Sequence, residues 1–143
     1  MCQMHSPSDI LRFVTAGRAT FTLSSKRTGA RYTFRASQAK NRDDRFFVSL
    51  LTGQDNEGDY SYIGTMDGTA FRTTSKSHLP DGSTPVRAVK FFCDHVLSRG
   101  EDPETLDLEV RHEGRCGRCA RLLTVPESID RGIGPECAQV MGL

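Results

Sequence analysis

The chain has 143 residues, a formal net charge of +1, 36% hydrophobic residues, no tryptophan and five cysteines. That length admits one modest core, built chiefly from Phe, Tyr, Val, Ile and Leu, plus a metal-stapled appendage, and the near-balanced charge is far from that of a dedicated nucleic-acid binder. No run approaches the length of a membrane span, and the opening MCQMHSPSD lacks the basic and apolar regions of a signal peptide, so a cytoplasmic protein without a disulfide framework is expected.

In chain order, Ser6-Pro7-Ser8-Asp9 followed by Ile10, Leu11, Phe13 and Val14, and closed by Gly17, predicts a short helix capped at both ends. The period then changes to two. Ala19, Phe21 and Leu23 alternate with threonines, and Tyr32 and Phe34 alternate with Arg31, Thr33 and Arg35, which predicts a hairpin with one buried face. A polar connection, ASQAKNRDD, leads to FFVSLLTG; a turn over Gln54 to Gly58 leads to DYSYIGTM, and Asp67-Gly68 turns into TAFRT. Residues 18 to 73 therefore read as a five-stranded antiparallel meander.

After the loop SKSHLPDGS, Ser83 or Thr84 is expected to cap a second helix with Pro85 at its start. Val86, Val89, Phe92, Cys93, Val96 and Leu97 recur at helical spacing down to Arg99-Gly100, a stripe that should lie across the sheet. The acidic EDPETLD then reads as a linker. The expected fold class is α+β: residues 1–100 form an antiparallel meander packed by one or two helices, and residues 101–143 form a small zinc-binding minidomain.

That minidomain rests on His112, Cys116, Cys119 and Cys137, spaced H-x3-C-x2-C-x17-C. Four soft or borderline donors in a short segment match the demand of a tetrahedral Zn²⁺. The Cys-x2-Cys pair suits a knuckle turn, in which Gly117 lets backbone amides point at the thiolates, and Arg115, Arg118 and Arg121 favour the ligating thiolate form. His112 is expected at the end of a strand, LDLEVRH, and Cys137 at the start of a helix opened by Gly134-Pro135. The arrangement is similar to a treble clef with a displaced ligand. A disulfide is the rival for the Cys pair, and His95, Cys93 or a water is the alternative to His112 in the fourth position.

The stretch CGRCARLLTVPESIDRGIGPECA resembles a zinc-binding domain of unknown function found at the C-terminus of uncharacterised phage and prophage-type proteins, with a Cys-Gly-x-Cys-Gly-x-x-Leu-Thr-x-Pro-x-Ser-Ile core running into Gly-x-Gly-Pro-x-Cys. The resemblance implies a metal and, for a viral protein, residence in the host cytoplasm, but no activity. The chain departs from that pattern at Ala120, where the family tends to have glycine. Because the position follows the second ligand, the change is expected to matter little.

The net charge conceals a segregation. From residue 11 to 50, Arg12, Arg18, Lys26, Arg27, Arg31, Arg35, Lys40, Arg42 and Arg45 stand against only Asp43 and Asp44, and a second cluster of five arginines runs from Arg111 to Arg131, both included. Arg31 and Arg35 on the sheet, with Arg115, Arg118 and Arg121 beside the cysteines, are the expected contacts to nucleic acid or a partner. Catalysis is not expected. A catalytic zinc keeps an open position whereas four ligands are available here, and Glu113 stands one residue too early for the His-x-Glu of a zinc deaminase. The sequence thus reads as a phage-type, non-enzymatic, zinc-stabilised protein engaging nucleic acid or a protein–nucleic acid complex. The alternative is an anti-CRISPR-like inhibitor of a host defence system, and a zinc-dependent enzyme ranks third.

Overall fold

Alternating apolar residues over the middle of the chain generate the sheet that organises the molecule. The computed structural model describes residues 2–55 and 58–143. Strands β2 (Arg18–Ser25), β3 (Arg31–Gln38), β4 (Arg45–Leu51), β5 (Tyr60–Asp67) and β6 (Ala70–Arg72) are neighbours in sequence order and antiparallel throughout, the five-stranded meander that the period of two predicts. The β3 strand runs through Gln38, three residues into the stretch expected as a connection, because Ala36 alternates inward and stays fully buried there. The turn expected over Gln54 to Gly58 includes two positions outside the described residues.

Both expected helices pack on one face of this sheet. Helix α1 (Pro7–Val14) starts with Ser6 accepting a hydrogen bond from the Asp9 amide at 3.3 Å, and it buries Ile10, Phe13 and Val14. Helix α2 (Thr84–Phe92) continues without a break into a π-helical segment, Cys93–Ser98, so that all six residues of the apolar stripe are buried. Ser83 takes the N-cap position of α2 as expected, but its side chain makes no capping hydrogen bond. The Ser83 hydroxyl donates to the Pro80 carbonyl, and the Thr84 hydroxyl pairs with that of Tyr32 at 2.8 Å. Phe92 meets Phe21 with ring centroids 5.4 Å apart, and Phe34 lies 5.8 Å from Phe21, forming the aromatic centre of the core.

Two further strands complete a seven-stranded sheet in the order β1-β7-β2-β3-β4-β5-β6. Strand β1 (Cys2–Met4) is not expected from the sequence, because three residues hold too little alternation to register. Strand β7 (Leu108–His112) is the expected LDLEVRH strand, but it lies inside the sheet, between β2 and β1. A boundary at residue 101 therefore precedes a strand that belongs to the main sheet. The linker itself folds as a 3₁₀ turn, Pro103–Leu106, capped by Asp102. A separate small apolar cluster begins only after His112, where Cys116, Leu123, Ile133, Cys137 and Ala138 pack together. Among the described residues, no helix is long and apolar enough to cross a membrane.

Candidate metal centre

The C-terminal lobe is a small hairpin followed by two short helices. Cys116 donates its amide to the Arg121 carbonyl at 2.8 Å, Leu123 donates to Gly114 at 2.8 Å, and Ala120 donates to the Cys116 carbonyl at 2.9 Å, which closes a knuckle around Cys116 and Cys119. Helix α3 (Pro126–Arg131) follows. Its proline at the first helical position and Gly132 in the left-handed conformation at its end are start and stop signals that the sequence carries, although no helix is expected there from periodicity. Helix α4 (Pro135–Val140), with Gly134 before its proline as expected, presents Cys137 in its first turn.

These elements bring Cys116, Cys119 and Cys137 together, with their three sulfurs all within 4.8 Å of one another. Metal–thiolate bonds of about 2.3 Å in a tetrahedron put sulfurs about 3.8 Å apart, so the cluster matches the donor set and spacing of a thiophilic ion. The backbone is arranged for a thiolate. Gly134 and Arg118 aim their amides at Cys116 Sγ, at 3.3 and 3.4 Å, and the Arg118 guanidinium reaches Cys137 Sγ at 3.5 Å. Burial disfavours the charged form of Cys116, but the amides of Gly134, Cys119 and Arg118 outweigh it and bring the thiol below its ordinary pKa. At Cys137 burial prevails over Arg118, and the neighbouring cysteines raise the thiol further. A positive ion among the three sulfurs would supply the countercharge that such a cluster needs.

His112, the expected fourth ligand, stands outside the cluster of three sulfurs. Its Nε2–H donates to the Ile129 carbonyl at 2.6 Å, and its Nδ1 accepts from the Gly114 amide at 2.9 Å, so both ring nitrogens are committed to backbone. The ring is fully buried, tilted against Phe13 with centroids 5.5 Å apart, and burial holds its pKa below the ordinary histidine value. Strand β7 ends with His112 facing the α1 side, where it locks the sheet to α3. Sequence spacing does not distinguish this role from ligation. The two other candidates also lie elsewhere: His95 bonds Glu101 at 2.6 Å, and Cys93 is buried against Met66 in the main core. Among the described residues, no fourth histidine, cysteine or carboxylate shares the spacing of the three sulfurs.

The departure at Ala120 does matter to the backbone. Its φ is +65°, in the left-handed region, where a Cβ costs about 1–2 kcal/mol that glycine avoids. Glycine also loses more entropy on folding, by about 0.4–1 kcal/mol. Ala120→Gly is therefore expected to stabilise the protein by about 0.5–1 kcal/mol, read as a higher denaturant midpoint at unchanged m-value. A lower midpoint would contradict the strain.

One wall of the lobe faces the sheet across a groove of about 1140 Å³. Arg18 and Arg35 from the sheet, Lys40 from the following loop, and Arg115 and Arg118 from the knuckle line it, with Glu113 as the one acidic lining residue among the described residues. Three of the five expected contact residues, Arg35, Arg115 and Arg118, thus meet in one place. Arg31 pairs with Ser24 near the other end of β3, away from the groove, and Arg121 lines a second hollow of about 440 Å³ beside the cysteines, ion-paired with exposed Glu136 at 3.4 Å. Arg18 is marked in the sequence, because it shares the period-two face of Thr20 and Thr22; Lys40 lies beyond the strand, where no periodicity marks it.

The matched family model is described as a family of unknown function (DUF6011), and residues 107–142 of this chain are similar to it. No curated protein and no solved structure matches the chain. The matched segment starts just before β7 and so takes in His112 and all three clustered cysteines.

Proposed function

We propose that this chain is a non-enzymatic nucleic-acid-binding module whose C-terminal lobe folds around one Zn²⁺ held by Cys116, Cys119 and Cys137. Thiolate donors select zinc over the harder divalent ions, and a water or an external ligand takes the fourth position. With His112 committed elsewhere, three protein ligands alone do not mark the metal as structural. The arrangement supports that role: the sulfurs tie the knuckle to α4 across the lobe's small core, and the order of knuckle, connecting segment and ligand-bearing helix is treble-clef-like. When bound, the metal supplies folding free energy to residues that bury little apolar surface of their own. Ser128, the one serine of the family-like motif, is buried with no hydrogen-bond partner for its hydroxyl among the described residues, so no base stands beside it.

The observation that carries the binding function is the groove, in which, among the described residues, five cations face one acid. Guanidinium groups on fixed backbone grip phosphate in a planar fork, and four of the five cations are arginines. The test is a titration of labelled single- and double-stranded oligonucleotides at low and moderate salt. Binding should weaken steeply with salt. The double variant Arg18→Glu with Arg115→Glu should weaken it at every sequence, and should lower the salt slope by about 0.7–0.9 for each phosphate that is no longer neutralised. No binding to either form at low salt would contradict the reading.

A second reading, engagement of a protein–nucleic acid complex, is favoured by exposed Leu122 and Val140 flanking the hollow beside the cysteines. It predicts that polar substitution of both residues weakens capture of the complex while leaving the affinity for free oligonucleotide unchanged.

A further inference from the structure

The sheet face opposite the helices carries aromatic rings at positions that a soluble sheet has no structural need to fill. Register places Ser37 opposite Phe47, Arg35 opposite Ser49, Ser49 opposite Tyr62, and Leu51 opposite Tyr60, and residues directly opposite share a face. Phe34, Ala36, Val48 and Leu50 alternate with them and are buried on the helix side. Phe47 is nevertheless 44% exposed, on a strand hydrogen-bonded on both sides. Its ring stands edge-on to Tyr62, with centroids 6.3 Å apart, and the Tyr62 hydroxyl is pinned by Thr65 at 2.7 Å and Thr74 at 3.0 Å. The guanidinium of Arg35 lies 3.9 Å above the Tyr60 ring, and burial keeps the Tyr60 phenol above its ordinary pKa.

This aromatic strip is continuous with the cationic groove. Arg35 lines the groove and covers Tyr60; Ser37 lines the groove and opposes Phe47. A cationic track beside flat, immobilised rings is the combination that recognises a polyanion with exposed bases. A duplex can satisfy the track but not the rings, because its bases are already stacked on one another. Resting on the nucleic-acid reading above, we infer that this face binds single strands selectively, with the sugar-phosphate backbone along Arg18, Arg35, Arg115 and Arg118 and a base stacked on Phe47.

The probes are a labelled oligothymidylate strand and the duplex it forms with oligoadenylate, titrated into the full chain at matched low salt. The single strand should bind at least about tenfold more tightly. Phe47→Ala should weaken single-strand binding by about 5- to 100-fold, leave duplex binding unchanged, and leave the salt slope intact, because every phosphate keeps its cation. Phe47→Trp should preserve single-strand binding. Because Phe47 is partly exposed, the circular dichroism of both variants should match that of the unsubstituted chain, and the loss of its contact with Tyr62 in Phe47→Ala should lower the melting midpoint only by the few degrees that about 1 kcal/mol represents. Equal affinity for strand and duplex, or an equal loss of both in Phe47→Ala, would overturn single-strand selectivity and leave the groove's binding function standing. No binding of either probe would overturn both.

Discussion

Replacing Cys137 with serine is expected to release the bound metal and unfold the lobe that follows His112. Cys137 is the one clustered sulfur that comes from α4, so without it the knuckle retains two donors and the helix has no covalent tie to them. The remaining apolar cluster, centred on Leu123, Ile133 and Ala138, is too small to hold some thirty residues unaided. Structural zinc in comparable small folds contributes about 10–16 kcal/mol of apparent binding free energy at neutral pH. Elemental analysis should therefore fall from about one zinc per chain to a small fraction, and hydrogen exchange should show protection lost from residue 114 onward. The sheet should survive with a lower melting midpoint, because His112 loses its partner at Ile129 while β7 keeps its neighbours in the ladder. A Cys137→Ser protein with full metal content and unchanged protection would refute the three-sulfur site.

Gly117→Ala is expected to cost about 3 kcal/mol, at the upper end for overpacking in a tight interface. A Cβ there would stand 2.7 Å from the Phe13 carbonyl oxygen and 2.7 Å from the Phe13 ring. The ring can rotate; the carbonyl is backbone at the end of α1 and cannot. Gly117 is also held on both sides, donating to the Gly132 carbonyl at 2.9 Å and accepting from the Arg18 amide at 2.6 Å, so the knuckle cannot withdraw without breaking its seam with β2. Trimming Phe13 should therefore fail to rescue the variant. The measurement is denaturant unfolding of Gly117→Ala alone and combined with Phe13→Leu. A destabilisation below about 0.5 kcal/mol in the single variant would show that the seam can yield.

The meander and the second helix are legible in the sequence because their signals are local and redundant. Alternation over Ala19 to Leu23 and over Tyr32 to Phe34, and the helical stripe from Val86 to Leu97, each repeat the same instruction several times. Cys116, Cys119 and Cys137 are legible because few structures other than a metal site require that spacing. His112 is ambiguous in the sequence because a histidine at a strand end is equally suited to a metal or to two backbone partners, and its bonds to Gly114 and Ile129 form only in the folded chain. Ala120 looks harmless because a left-handed residue leaves no trace in the sequence except a missing glycine. The groove is half legible. The arginines can be counted, but their convergence depends on the lobe docking against α1 through Gly117 and Gly132, a meeting of segments a hundred residues apart.

That docking makes the C-terminal lobe one wall of the groove, so under the proposed function metal and binding should be coupled. The most direct measurement is titration of a labelled single strand into metal-loaded protein, into protein stripped by chelator, and into stripped protein given zinc again. Without Arg115 and Arg118 as fixed cations, binding should weaken by about tenfold or more and its salt dependence should flatten, and zinc should restore both. Unchanged affinity and salt slope in the stripped protein would contradict the account.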